Sequence, residues 1–191
     1  MLKALILIGG ESSRMGKEKY LLEFNGKPQY VYLAGLLKNL NLPVYISCNK
    51  HQIKEIPDDY NKIKDLYEGI GPMGGIISAF QSDTHSDWLV LACDLILLDN
   101  EAISKLIENN HSSFEIITFQ KKGFDKPETT ASIYRNNTYS RFKDALENTS
   151  FSLQNILRNC KVKTITPLEN TKLWNANTQE ELEEAKKFKN L

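Results

Sequence analysis

The sequence predicts an α/β domain built on a mostly parallel, doubly wound sheet with helices on both faces. Three observations carry that expectation. Short apolar runs recur that are too uniformly hydrophobic to alternate, the mark of strands buried on both faces. Helix-length segments separate them, and strand-helix-strand repetition implies parallel pairing through crossovers. The chain has 191 residues, which suits a single domain, residues 1–191, with enough length to bury a real core.

The elements follow in order along the chain. "KALILI" (3–8) is the first strand, and it ends on the glycine pair Gly9–Gly10. "KPQYVYLAGLLKNL" (27–40) is the first helix, with Pro28 near its start and apolar residues at Val31, Leu33, Ala34, Leu36 and Leu37. "PVYIS" (43–47) and "WLVLAC" (88–93) are further buried strands. "GGIISAFQS" (74–82) and "DNEAISKLIEN" (99–109) supply the next crossover helices. The second half is less regular: "FEIITFQ" and "TASIYR" flank a turn-like "KKGFDKPET", which suggests paired strands around an excursion from the main sheet. In "NTQEELEEAKKFKNL", Thr178 as N-cap and Glu181 three residues on form a capping box for a terminal helix. Its Glu-then-Lys pattern reads as a solvated face with favourable dipole placement.

Composition narrows the function. Lys plus Arg number 24 and Asp plus Glu 24, a formal net charge of zero. No global electrostatic footprint for nucleic acid or an anionic membrane follows, so an anionic partner must be met locally. The first residues lack the layout of a signal peptide and no apolar run nears membrane-spanning length, so a cytoplasmic protein is expected. Cys48, Cys93 and Cys160 are odd in number and far apart, suggesting neither a disulfide framework nor a zinc site. His51, His85 and His111 read as surface histidines.

The chemistry concentrates in "LILIGGESSRMGKEK" (5–19). Adjacent glycines at a strand end let backbone N–H groups turn towards phosphate oxygens, although a plain glycine turn has the same sequence. Arg14 suits bidentate phosphate binding, and Lys19 adds a compact positive charge. Two familiar phosphate loops fail: Gly16–Lys17 is followed by Glu18 rather than Ser or Thr, and the glycines are adjacent rather than spaced Gly-x-Gly-x-x-Gly. Ligands of open α/β sheets bind beyond the carboxyl ends of strands. Asp94 ends "WLVLACD" there, as a hard oxygen ligand for Mg²⁺ or, alternatively, as a cap or loop acid. "GIGPMGGI" (69–76) is a second glycine-rich turn that runs into a helix.

Together these residues resemble the molybdenum cofactor guanylyltransferase (MobA) family. Leu7, Gly9, Gly10, Ser12, Arg14, Met15, Gly16 and Lys19 match its first motif. "LLEFNGKP" (21–28), "SCNKHQ" (47–52), Asp65, "GPMGGI" (71–76), "ACD" (92–94) and "NANT" (175–178) follow in family order. The resemblance implies a Rossmann-like nucleotidyltransferase fold of the glycosyltransferase-A type and transfer of GMP from GTP to the terminal phosphate of (molybdenum-)molybdopterin. Pyrophosphate would be released and a guanine dinucleotide cofactor formed. It implies a GTP site at Leu7, Ile8, Gly9, Gly10, Lys19, Ser47 or Asn49, Asp65 and Asp94, with Mg²⁺ on Asp94. Catalysis falls to Arg14 on the leaving pyrophosphate, Lys19 at the α-phosphate and Asp94 through the metal. Asp65 suits the guanine edge, or is a solvated turn acid. Asn175 and Asn177 face molybdopterin, or serve as turn and capping residues. Departures from the family pattern fall at Ile8, Ser47, Ile96, Thr129 and Gln179. Cytidylyl transfer to molybdopterin, nucleotidyl transfer to a sugar phosphate and a non-catalytic nucleotide-binding module stay open. So does delivery to molybdoenzyme apo-proteins or other cofactor-assembly proteins.

Overall fold

The computed structural model describes residues 1–9 and 18–189, the side chain of Lys189 excepted. One seven-stranded sheet is formed by β1 (Leu2–Leu7), β2 (Val44–Cys48), β3 (Asn61–Lys64), β4 (Asp87–Ala92), β5 (Ile116–Phe119), β6 (Ala131–Tyr134) and β7 (Val162–Ile165). Their order across the sheet is β3-β2-β1-β4-β6-β5-β7. All pairs are parallel except those made by β6, which runs antiparallel to β4 on one side and β5 on the other. The strand pair expected around 121–129 is therefore part of the central sheet, and only the connection leaves it.

Six helices complete the described chain: α1 (Gln29–Asn39), α2 (Pro72–Ser82), α3 (Asn100–Glu108), α4 (Tyr139–Glu147), α5 (Leu153–Arg158) and α6 (Gln179–Lys189). They lie on both faces because the central strands are apolar on both. In β1, Ala4 and Ile6 join a cluster with Leu33 and Leu37 of α1 and Ile103 and Leu106 of α3. Leu5 and Leu7 point the other way, into a cluster with Met73, Ile76 and Phe80 of α2, Phe142 of α4 and Ile156 of α5. Each buried Leu or Ile contributes roughly 1.5–3 kcal/mol through removal from water. Two such layers on one sheet account for the continuous hydrophobic runs.

Helix boundaries follow local chemistry. Pro28 is the N-cap of α1, and α2 begins at Pro72, earlier than expected, because proline suits the first helical turn. Gly71, with φ 63°, supplies the left-handed residue that α2 starts from. Asp99 caps α3 by accepting from the Ala102 N–H at 3.0 Å. The capping box forms as expected: Glu181 N–H donates to Thr178 Oγ1 at 3.2 Å, and Thr178 N–H donates to Glu181 Oε2 at 3.1 Å. Among the described residues no helix is long and apolar enough to cross a membrane.

Candidate active site

The carboxyl ends of β1, β2 and β4 lie side by side, and two groups of polar side chains gather there. The first surrounds Asp65, just beyond β3. Leu7 and Ile8 are 5% and 2% exposed, so their side chains belong to the core, while Gly9 emerges at the surface. The Leu7 carbonyl accepts from Cys93 N–H at 3.1 Å and the Ile8 carbonyl from Gln52 Nε2 at 3.2 Å, which fixes the end of β1 to its surroundings. A Cβ added at Gly9 would stand 3.7 Å from Asp65 Oδ2, so the carboxylate lies against the glycine. Ser47 donates its hydroxyl to Asp65 Oδ1. The Asp65 N–H donates to the Cys48 carbonyl at 2.8 Å. Burial raises the Asp65 carboxyl above its ordinary range, the Ser47 bond opposes the rise and Glu68 adds to it.

Asn49 has a local task. Its Oδ1 accepts from the backbone N–H groups of His51 and Gln52, both at 2.9 Å, starting the short 3₁₀ turn Gln52–Lys54. Gly10 and Arg14, with Ser12, Met15 and Gly16 of the same motif, lie outside the described residues.

The second group surrounds Asp94, immediately after β4. Its carbonyl accepts from Ile96 N–H and Ala176 N–H, each at 3.0 Å. Leu95 and Asn175 form an isolated antiparallel bridge. These bonds bring the 175–177 segment from far along the chain to the end of β4. Lys19 Nζ donates to Asn177 Oδ1 at 2.6 Å, and Asn177 N–H donates to Glu181 Oε2 at 2.6 Å. Lys19, Asp94, Asn175 and Asn177 are thus assembled in one place. The cap of the next helix is Asp99, which leaves Asp94 without that duty.

Asp94 Oδ1 and Asn175 Oδ1 are buried and have no hydrogen-bond partner among the described residues. Burial raises the Asp94 carboxyl, the Lys19 charge opposes the rise, and Glu128 and Glu181 reinforce it. A buried carboxylate oxygen without a partner leaves its loss of hydration uncompensated, and a divalent cation supplies that compensation. The donor set fits Mg²⁺, which takes hard oxygens and is held by one or two protein carboxylates with substrate phosphates. Among the described residues no group of three or more His, Cys, Asp or Glu is placed to hold a metal.

Sequence reasoning missed Glu128. Its Oε1 accepts from Thr129 N–H, Thr130 N–H and Thr130 Oγ1, each at 2.8 Å, and Thr130 in turn receives the Ala92 N–H on its carbonyl at 2.9 Å. Glu128 is thereby anchored beside the end of β4 where β6 begins, in the direction across the sheet away from β3 and Asp65. A single Glu in a polar loop carries no sequence signal for that placement.

A family model described as "MobA-like NTP transferase domain" matches residues 4–184. The chain is 31% identical over 165 residues to a molybdenum cofactor biosynthesis bifunctional protein of Synechocystis sp., covering 86% of this chain and 45% of that protein. It therefore spans less than half of that relative's length. A probable molybdenum cofactor guanylyltransferase of Flavobacterium johnsoniae is 28% identical over 183 residues, covering 95% of this chain and 94% of its own. Among solved structures, molybdopterin-guanine dinucleotide biosynthesis protein A of Archaeoglobus fulgidus superposes with a TM-score of 0.81 at 21% identity, covering 100% and 99% of the two chains. A 4-diphosphocytidyl-2C-methyl-D-erythritol synthase of Anaerococcus prevotii shares the fold at a TM-score of 0.72 and 14% identity, over 100% and 99%. The fold is thus common to enzymes with different nucleotides, whereas the match running from Ala4 to Glu184 is to one family: this chain belongs to the MobA-like NTP transferases.

Proposed function

We propose that the chain transfers GMP from GTP to the terminal phosphate of (molybdenum-)molybdopterin, releasing pyrophosphate and forming the molybdopterin guanine dinucleotide. An oxygen of the acceptor phosphate forms a bond to the α-phosphorus as the bond from that phosphorus to the bridging oxygen of pyrophosphate breaks. The observation that carries the reading is the meeting of Lys19, Asp94 and Asn177 beyond β4 in a member of this family. The names of the relatives support the choice of GTP and molybdopterin.

The chain's own residues mainly position and neutralise. The nucleophile is already an anion, so no general base is needed, and rate comes from alignment and from stabilised charge. Lys19 presents its ammonium to the α-phosphate, and Arg14 holds the leaving pyrophosphate. Gly9 and Gly10 offer backbone N–H groups to the triphosphate. Asp65, set against Gly9, accepts from the guanine edge. Because Asn177 Oδ1 is turned to Lys19, its Nδ2 is left to donate to the acceptor phosphate. Asn175 lines the same acceptor side. Asp94 holds Mg²⁺, which when bound supplies positive charge to the phosphate oxygens.

A thermal-shift titration with GTP, CTP, ATP and UTP, each with and without Mg²⁺, tests the reading, since a ligand specific for the folded state raises its stability. A Mg²⁺-dependent shift selective for GTP, followed by pyrophosphate release on adding molybdopterin, is expected. A CTP preference would assign the cytidylyl reaction instead, and no shift with any nucleotide would remove the enzymatic reading.

A further inference from the structure

Ser47 is the penultimate residue of β2, at the nucleotide side of the site, yet is 1% exposed, so its hydroxyl is sealed from any ligand. The hydroxyl is spent on Asp65 Oδ1. The other carboxylate oxygen, Oδ2, is the one that faces Gly9. Above Ser47 lies Gly75 of α2. A Cβ built there would collide with Ser47 Oγ and stand 2.7 Å from Leu7 Cδ2, so the helix backbone approaches as closely as a glycine permits. With the Cys48 carbonyl holding the Asp65 N–H, backbone and side chain of Asp65 are both fixed.

We propose that Ser47 is a positioning residue for base recognition: its hydroxyl fixes the Asp65 carboxylate so that Oδ2 is presented on the Gly9 side to the N–H donors of a guanine edge, and Gly75 keeps the space this requires. The inference rests on Asp65 facing the base. An ionised carboxylate only accepts hydrogen bonds, so it pairs with the guanine N1–H and 2-amino group. It is repelled by the unprotonated ring nitrogen that adenine or cytosine presents at the same edge. Ser47 also has an electrostatic effect. Its bond is what opposes the rise that burial imposes on Asp65. The other titratable groups facing Asp65 among the described residues are Glu68, paired with Lys50 at 3.3 Å, and the Cys48 thiol, pushed by burial up to about 12 and so neutral. A protonated Asp65 has lost its negative charge and carries an O–H donor that opposes the guanine N–H groups, so GTP affinity falls as pH falls. Removing Ser47 moves that fall to higher pH.

Calorimetric titration of the full chain with Mg²⁺ and GTP, ATP or CTP between pH 5 and 8 tests this on the Ser47→Ala, Gly75→Ala and Asp65→Asn variants. Ser47→Ala is expected to weaken GTP about tenfold at pH 7, corresponding to roughly 1.4 kcal/mol. Its pH midpoint should move upward while ATP and CTP are unchanged, and Gly75→Ala should follow it. Ser47→Cys, similar in size but a weak donor, gives the same readout if the alanine variant does not fold. GTP binding by Ser47→Ala with the wild-type constant and pH profile overturns the inference, as does an equal loss for all three nucleotides. If Asp65→Asn keeps its preference for GTP, the base-facing reading of Asp65 is itself wrong. If Asp65→Asn loses it while Ser47→Ala does not, only the role of Ser47 fails.

Discussion

Replacing Glu181 by alanine tests whether the cap of α6 is also part of the site. One carboxylate oxygen holds two backbone donors, Asn177 N–H at 2.6 Å and Thr178 N–H at 3.1 Å. A hydrogen bond to a charged group contributes about 1.5–3 kcal/mol, and loss of a helix cap costs about 0.5–2 kcal/mol. Both figures describe the same atoms, and the site is partly screened by water, so about 2 kcal/mol is expected in total. In a chain of this size each kcal/mol shifts the melting temperature by roughly 2–4 °C, which gives a fall of about 4–8 °C. The Trp174 Nε1 bond to the Glu181 carbonyl, at 3.1 Å, does not involve the side chain and persists. With its N–H released, Asn177 no longer holds its Oδ1 steadily towards Lys19, and guanylyl transfer at 25 °C should drop about tenfold although the protein is folded there. Near-UV circular dichroism during heating and pyrophosphate release read the two effects separately. A lowered melting temperature with unchanged turnover would refute the link between cap and site, and an unchanged melting temperature would refute the energetic argument.

Lys19→Ala should lower turnover about 10²–10³-fold, as removal of a charge-stabilising donor does, with GTP still bound in a thermal-shift assay; near-normal turnover would show that Lys19 has no such part. Asp83 accepts from Lys3 at 2.6 Å, Ser86 Oγ at 2.7 Å and His85 N–H at 2.9 Å, and these bonds, Lys3 foremost, hold its carboxyl well below the usual range. A depressed folded-state value contributes stability above the unfolded value near 4, lost as pH falls through the folded one, so urea midpoints should decline below about pH 4 and decline less steeply in Asp83→Asn. Gly74→Ala, which helix propensity alone would favour by about 1 kcal/mol, should instead destabilise by about 1–3 kcal/mol in chemical denaturation, because the new Cβ meets the Tyr67 carbonyl.

The central strands were legible because burial on both faces leaves a continuous apolar run, as in Leu5–Leu7 and Trp88–Leu91. The edge strands were not. In β3, "NKIK", only Ile63 is buried, and in β7, "VKTI", only Ile165 is. Lysines at 62, 64 and 163 interrupt the apolar residues of these edge strands and so erase the strand signal. The placement of β6 was hidden for another reason, since local patterns reveal a strand but not which neighbour it chooses. In the site, Lys19, Asp94 and Asn177 stood out by motif, while the Lys19–Asn177 bond spans 158 positions and only the folded chain displays it. Ser47 drew notice as a residue beside the nucleotide, and its burial under Gly75 depends on how α2 settles on β1 and β2. Glu128 gave no sequence signal at all.

The reversed strand has a consequence for the order of synthesis. β4 pairs with β1 on one side as soon as both exist, but on the other its partners are Ala131 to Tyr134, made much later. Until they emerge, the nascent chain carries a half-built sheet whose open edge is the hydrophobic stretch Trp88–Leu91, which, unlike β3 and β7, contains no lysine. Such an edge is a template for any other unpaired strand. Fragments that end between β4 and β6 are therefore the ones expected to associate edge to edge, and ribosomal pausing in that interval is the moment at which this chain most needs a chaperone.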